Sequence, residues 1–173
     1  MKQVIVLQGV SGSGKSFFTA DLVMHLALGR RWRGRKVRQC FVVYVASEAG
    51  DSIQKRFSVM RDSLVGDAYE GQLPLYTLTR GPNLLSLTEA DALMDQLREL
   101  QKEAGLPLGI VVFDTLSRSI PGGDENTSTD MGMIVSVASR LRDELGAATL
   151  LVHHTGKDEG RGSRGSNSLP AGA

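Results

Sequence analysis

Apolar residues along this chain fall into two patterns: short uncharged runs, and longer stretches in which they recur every three or four positions. The runs Gln3–Gln8 (QVIVLQ), Phe41–Ala46 (FVVYVA), Gly109–Phe113 (GIVVF) and Thr149–Val152 (TLLV) are rich in β-branched and aromatic residues. With no charged residue to mark a solvent face, each predicts a buried strand. Leu73–Leu78 predicts a shorter one. Helical spacing covers Ser16–Leu28, with Phe17, Leu22 and Leu26 on one side and Gly29 as the stop. A second amphipathic helix runs from Asp51 to about Val65. Thr88-Glu-Ala-Asp91 has the form of a capping box and opens a helix to Gln101 or Glu103. A last helix, Met131–Leu145, is closed by Gly146. Between them, Ser117–Asp130 reads as a polar, Gly-rich loop, and no regular structure is expected from Thr155 onward.

Strands and helices alternate, and the strands are apolar throughout. That order predicts an α/β fold of three layers, a parallel sheet with helices on both faces. A single domain over residues 1–154 and a flexible Gly/Ser/Arg-rich tail over 155–173 account for the whole chain. The composition agrees: 173 residues, 41% hydrophobic and 23% charged, suffice for one core. No stretch is long and apolar enough to cross a membrane, and the N-terminal apolar run is too short for a signal-peptide core, so a cytoplasmic location is expected. The single cysteine, Cys40, excludes an internal disulfide framework and reads as a small buried residue.

The chemistry begins at GVSGSGKS: Gly9, Val10, Ser11, Gly12, Ser13, Gly14, Lys15 and Ser16. This is the complete G-x-x-x-x-G-K-[ST] pattern, set after a strand and before a helix. The glycines let backbone N–H groups point inward at phosphate oxygens, and the helix N-terminus adds positive potential. Lys15 would reach the β- and γ-phosphates, and the Ser16 hydroxyl would ligate Mg²⁺. Asp114 ends the strand GIVVFD, at the edge of the sheet where ligands of open α/β folds bind, and is the candidate second metal ligand. Glu48 ends the strand-borne segment VVYVASEAG. It can be read as a base that polarises water, or as a glutamate favoured by a following helix dipole.

His153 and His154 close the last strand. Neighbours on a strand point to opposite faces, so the two cannot readily chelate one metal, and the third histidine, His25, lies in the first helix. One of the pair reads a γ-phosphate or couples it to nearby loops while the other packs, or both simply end a strand near solvent. The stretch RRWRGRKVR sets Arg30, Arg31, Arg33, Arg35, Lys36 and Arg38 around Trp32. It could hold a nucleic-acid backbone with the indole stacked on a base, or serve only as a solvated connection.

Taken together, the phosphate loop, VVYVASEAG, GIVVFDTLSRSIPGGDENTSTDMG and LLVHHTGKDEGRGSRGS resemble the RecA-like ATPases of the AAA family, the group that includes the hexameric plasmid helicase RepA. The resemblance runs from about Val4 to Ser168. It implies ATP and Mg²⁺ as ligands, ATP hydrolysis, and a role beside single-stranded DNA in replication or recombination, possible as a homo-oligomeric ring. It implies Glu48 as the catalytic base and a histidine-bearing strand between the two nucleotide-binding strands, which brings His153 and His154 beside the γ-phosphate. It also implies that Arg164, in SRGS, is a finger completing a neighbour's site; Arg161 lies in the same tail, which reads equally as a disordered polar end. Family members continue past RGS with another core strand, so the expectation is a shortened core with Val4–Leu7 on a sheet edge and ring assembly in doubt. The loop after Asp114 falls where the family places a DNA-binding loop, yet here it carries Asp124, Glu125 and Asp130. Two other readings of the same phosphate loop stand beside this one: a small-molecule or polynucleotide kinase, and a non-catalytic nucleotide-binding module.

Overall fold

A computed structural model describes residues 4–48, 50, 52–65 and 71–154. Gln3, Asp51 and the whole 155–173 segment, Arg161 and Arg164 included, therefore lie outside the described residues. The elements in chain order are β1 (Val4–Gly9), α1 (Lys15–Leu28), β2 (Phe41–Ala46), α2 (Ser52–Val65), β3 (Leu75–Leu78), α3 (Leu87–Ala104), β4 (Leu108–Asp114), α4 (Ser128–Leu145) and β5 (Ala148–His154). The five strands form one sheet in the order β1-β5-β4-β2-β3, and every neighbouring pair is parallel.

Side chains alternate across the strands and divide the core in two. On one face Tyr44, Val112 and Val152 pack with Val23 and Met24 of α1 and Ile53 and Phe57 of α2. On the other, Val43, Phe113 and Leu151 pack with Leu93 and Leu97 of α3 and Ile134 and Leu141 of α4. This is the three-layer α/β arrangement that the alternation of elements predicts. At the foot of β4 the register with β2 slips between Phe41 and Val42, leaving Gly109 unpaired in the ladder. A Cβ on Gly109 would stand 2.3 Å from Cys40 Sγ, so the cysteine fills the space that the glycine leaves. Cys40 is buried there, and burial pushes its thiol pKa up.

Of the boundaries that differ from the sequence expectation, three do so for a clear local reason. α3 begins at Leu87, not at Thr88: Ser86 is its N-cap and accepts from the Glu89 N–H, while the Glu89 carboxylate accepts from the Asn83 N–H at 2.8 Å. The capping logic holds, but the serine takes the cap. α4 begins at Ser128, capped by Thr127 accepting from the Asp130 N–H, so its first turn lies within the segment expected to be loop. The polar residues of that turn give no apolar signal. The loop itself contains a single 3₁₀ turn, Ser117–Ser119. Finally, β5 runs through both histidines because it pairs with β1 as far as Gly9.

Candidate active site

The parallel strands deliver their chemistry to one edge. β1 ends on Gly9, paired in register with His154 of β5; Asp114 of β4 pairs with Val152 on one side and Ala46 of β2 on the other. The phosphate loop, His154, Asp114 and the Ser47–Glu48 turn thus line the carboxyl ends of four adjacent strands.

Gly12 and Gly14 in the loop have φ of 79° and 86°, a region that only glycine enters without strain. Gly14 is the N-cap of α1, and its carbonyl accepts from the Phe18 N–H at 2.9 Å. Lys15 is only 6% exposed. Its ammonium folds back along the loop and donates to the carbonyls of Gly9 and Val10, both at 2.8 Å. A lysine confined to the mouth of a helix N-terminus, with its charge met only by neutral oxygens, is suited to an anion of high charge.

Asp114 is 4% exposed and its Oδ2 accepts a hydrogen bond from Tyr44 Oη at 2.5 Å. The phenol is held protonated: burial raises its pKa far above the ordinary value, and the charge of Asp114 and the hydrogen bond to it raise it further. Ser16, the second residue of α1, is half-buried at the mouth of the loop. One carboxylate and one hydroxyl, with no group of three His, Cys, Asp or Glu side chains among the described residues, is a donor set that fits Mg²⁺, which keeps most of its waters, better than it fits Zn²⁺.

Glu48 stands at the end of the row. Its Oε1 accepts from Thr115 Oγ1 at 2.9 Å and lies 3.9 Å from Arg118 Nε; its Oε2 is 3.7 Å from His154 Nε2. Ser117 Oγ, 3.1 Å from Thr115 Oγ1, extends this polar chain. The peptide bond joining Asp114 to Thr115 is cis. The two histidines separate as strand geometry requires. His154 lies on the face of Asp114 and Tyr44 and approaches Glu48. His153 lies on the opposite face, where its Nδ1 meets Glu125 Oε2 from the loop before α4. Glu125 and Asp124 are therefore committed within the molecule: hydrogen bonds from Asn126 hold the Asp124 carboxyl below its usual pKa range.

Tyr44, Thr115 and Arg118 escape the sequence reading, as does the contact of the acidic loop residue Glu125 with His153. Tyr44 had a signal: it is the one polar group in an otherwise apolar strand, in phase with Ala46 and Glu48. The other three come from the loop following β4, where nothing in the sequence fixes which side chain meets which.

A sequence model of the AAA domain matches residues 1–160 of the chain. The chain belongs to the AAA domain family. This AAA domain has the phosphate loop of a nucleotide-binding ATPase, and its histidine-bearing β5 lies between the strand that leads into that loop and the strand that ends on Asp114. No curated protein sequence matches the chain. Among the described residues of the AAA domain no helix is long and apolar enough to cross a membrane.

The structure also shows where the basic stretch goes. Trp32 is held against α1: its Nε1–H donates to Asp21 Oδ2 at 2.8 Å, and its ring meets Phe18 edge to face at 5.4 Å. Arg33 stacks on both rings, 5.3 Å from Phe18 and 5.4 Å from Trp32. The indole is a buttress, not a free platform for a base, because its donor and its ring are already engaged.

Proposed function

We propose that this domain hydrolyses ATP in a Mg²⁺-dependent reaction, and that it serves DNA replication or recombination as a helicase-like factor. The convergence of Lys15, Asp114 and Glu48 on the carboxyl edge of parallel strands carries the catalytic part; the resemblance of four sequence motifs to RecA-like ATPases carries the DNA part. Backbone N–H groups of Gly9–Ser16 and the Lys15 ammonium bind the phosphates. Ser16 and Asp114 would hold the metal, which would supply charge neutralisation to the phosphates. Glu48 accepts a proton from water as its oxygen bonds to the γ-phosphorus; the bond from that phosphorus to the bridging oxygen breaks, and ADP leaves with the electron pair, giving ADP and inorganic phosphate. Thr115 and Arg118 orient Glu48. His154 sits where it can respond to the γ-phosphate, and His153 extends that response to the Glu125 loop. Arg164, outside the described residues, supplies a guanidinium to a neighbouring subunit, which makes specific activity rise with protein concentration.

The test is phosphate release from ATP with and without Mg²⁺ and single-stranded DNA, alongside a search for phosphorylated acceptors. Release to water that needs Mg²⁺ supports the reading. Transfer to an acceptor instead would make the domain a kinase; binding with neither would make it a nucleotide-binding module. Specific activity that ignores both concentration and Arg164→Ala would remove the finger.

A further inference from the structure

The connection from α1 to β2 is a built hairpin. Trp32 and Arg35 exchange two backbone hydrogen bonds, of 2.9 and 2.8 Å, around a turn whose central residues, Arg33 and Gly34, have φ of 46° and 79°. Positive φ at both positions is the pattern of a tight type I′ turn. Trp32 fastens the hairpin to α1 through Asp21 and Phe18, and the Arg31 guanidinium donates to the Gly34 carbonyl at 3.3 Å. Arg30 reaches across to the Leu64 carbonyl at the end of α2.

This fixed hairpin displays six exposed cations in nine residues: Arg30, Arg31, Arg33, Arg35, Lys36 and Arg38. Among the described residues no carboxylate pairs with any of them. The neighbouring Asp21 is occupied by Trp32 and by His25, 3.5 Å away. On the surface of α3 and α4 the opposite holds: Asp91 and Glu144 pair with Arg140, Asp95 with Arg98, Glu99 with Lys102, and Asp143 with Arg142. Uncompensated like charge held in one place repels itself, and an external polyanion relieves it.

We propose that the Arg30–Arg38 hairpin is a docking surface for the phosphate backbone of a nucleic acid. Five of the six cations are arginine, whose planar fork matches phosphate oxygens in pairs. The hairpin offers no free apolar anchor of the kind a protein partner needs, since Phe18, Trp32 and Arg33 are stacked on one another. A second copy of this chain is disfavoured because many of its surface carboxylates are already paired within it. The indole is engaged, so recognition is of backbone charge and not of bases. The hairpin is fastened to α1, which covers one face of the sheet, whereas Glu125 of the acidic loop meets His153 on the other. This inference does not depend on ATP hydrolysis, because binding is measured without nucleotide.

Trp32 is the chain's single tryptophan, so its emission reports from the hairpin itself. The experiment titrates the full chain with a fluorescein-labelled thymidine 30-mer and with a duplex of the same length, following label anisotropy and Trp32 emission over a range of salt. Binding that weakens steeply with salt and perturbs Trp32 is expected. The triple swap Arg35→Glu, Lys36→Glu, Arg38→Glu should lower affinity at least tenfold. It should also reduce the salt slope by about 2 for the single strand, at about 0.7 for each phosphate no longer neutralised. The milder Arg→Gln and Lys→Gln set should give the same direction if the swap melts early. A control pair away from the hairpin, Arg61→Glu and Lys102→Glu, should change affinity far less. Comparison of the two oligonucleotides tells which strandedness the surface prefers. The proposal is overturned if wild type fails to bind at low salt, if the triple swap binds as wild type does, if Trp32 emission does not move, if polyglutamate of equal charge displaces the oligonucleotide as well as a nucleic acid does, or if the swap abolishes only self-association.

Discussion

Tyr44 on β2 and Asp114 at the end of β4 are joined by a buried hydrogen bond in which the phenol donates to the carboxylate across neighbouring strands. The tyrosine fixes one oxygen of the aspartate, and on the proposed reading the carboxylate holds the metal. Tyr44→Phe keeps the ring and its edge-to-face contact with Phe57 while removing the donor. It should cost about 1–3 kcal/mol of stability, because a buried carboxylate loses a partner. It should also raise the Mg²⁺ concentration needed for nucleotide-induced thermal stabilisation. Urea melts and Mg²⁺ titrations of the melting shift check the two effects separately.

The same hydrogen bond has a pH signature. The folded protein holds the Tyr44 phenol protonated well beyond its ordinary range, whereas in the unfolded chain it ionises near pH 10, its usual value. The stabilising contribution is therefore fully present below about pH 10 and declines as pH rises above it, because only the unfolded state releases the proton. Absorbance at the tyrosinate band should show Tyr44 silent until the protein unfolds. Above about pH 10 the stability of Tyr44→Phe should fall less steeply than that of wild type; parallel curves would separate the phenol from the alkaline transition.

Lys15→Ala removes a charge that is confined to the phosphate loop. Nucleotide affinity, turnover or both should drop by more than about tenfold, since no other ammonium stands in the loop to meet the phosphates. Isothermal titration with a non-hydrolysable ATP analogue reads the affinity directly. A folded variant that binds and turns over as wild type does would remove Lys15 from the site.

Glu48→Gln preserves shape and the contact with Thr115 but cannot take a proton. Binding of Mg-ATP should persist while phosphate release falls by about 10²–10⁴-fold. Equal release rates would shift the base role to another group. A loss confined to affinity would point to a structural part for Glu48 in holding Thr115 and Arg118.

Two glycines should respond in opposite directions to alanine. At Gly109 a Cβ would meet Cys40 Sγ at 2.3 Å and Cys40 Cβ at 2.7 Å, so Gly109→Ala should destabilise by about 1–3 kcal/mol through overpacking. At Gly132, on the exposed side of α4, nothing lies within 4 Å, so Gly132→Ala should stabilise by about 0.5–1 kcal/mol through helix propensity. Chemical denaturation of both variants measures the contrast.

The fold was legible where burial is continuous. β2 and β4 are covered on both faces, so their sequences are apolar almost throughout and their limits stand out. The phosphate loop was legible for a different reason: its geometry requires glycines, a lysine and a serine at fixed spacing. Helix starts were less visible. Thr127–Asp130 and Ser86 are polar because helix first turns favour capping side chains, and hydrophobic periodicity does not register them. The surroundings of Glu48 were hidden altogether, since Thr115 and Arg118 reach it from 67 and 70 positions further along, through a loop whose path depends on the packing of β4. The engagement of Trp32 was hidden too. Its partners, Phe18 and Asp21, precede it on α1, and the chain turns back toward them at the left-handed Gly29 that ends the helix.

Because His153 and His154 part company across the sheet, β5 counts in twos. Adding or deleting one residue between Ala148 and Val152 would present His153's partner to His154 and the reverse, carrying Glu48's neighbour to the Glu125 side and leaving the crevice with the wrong imidazole. Two residues added or removed would restore the original handing. The length of this strand is thus constrained by parity more than by size, and the doubled histidine is the mark by which a one-residue slip would be felt on both faces at once.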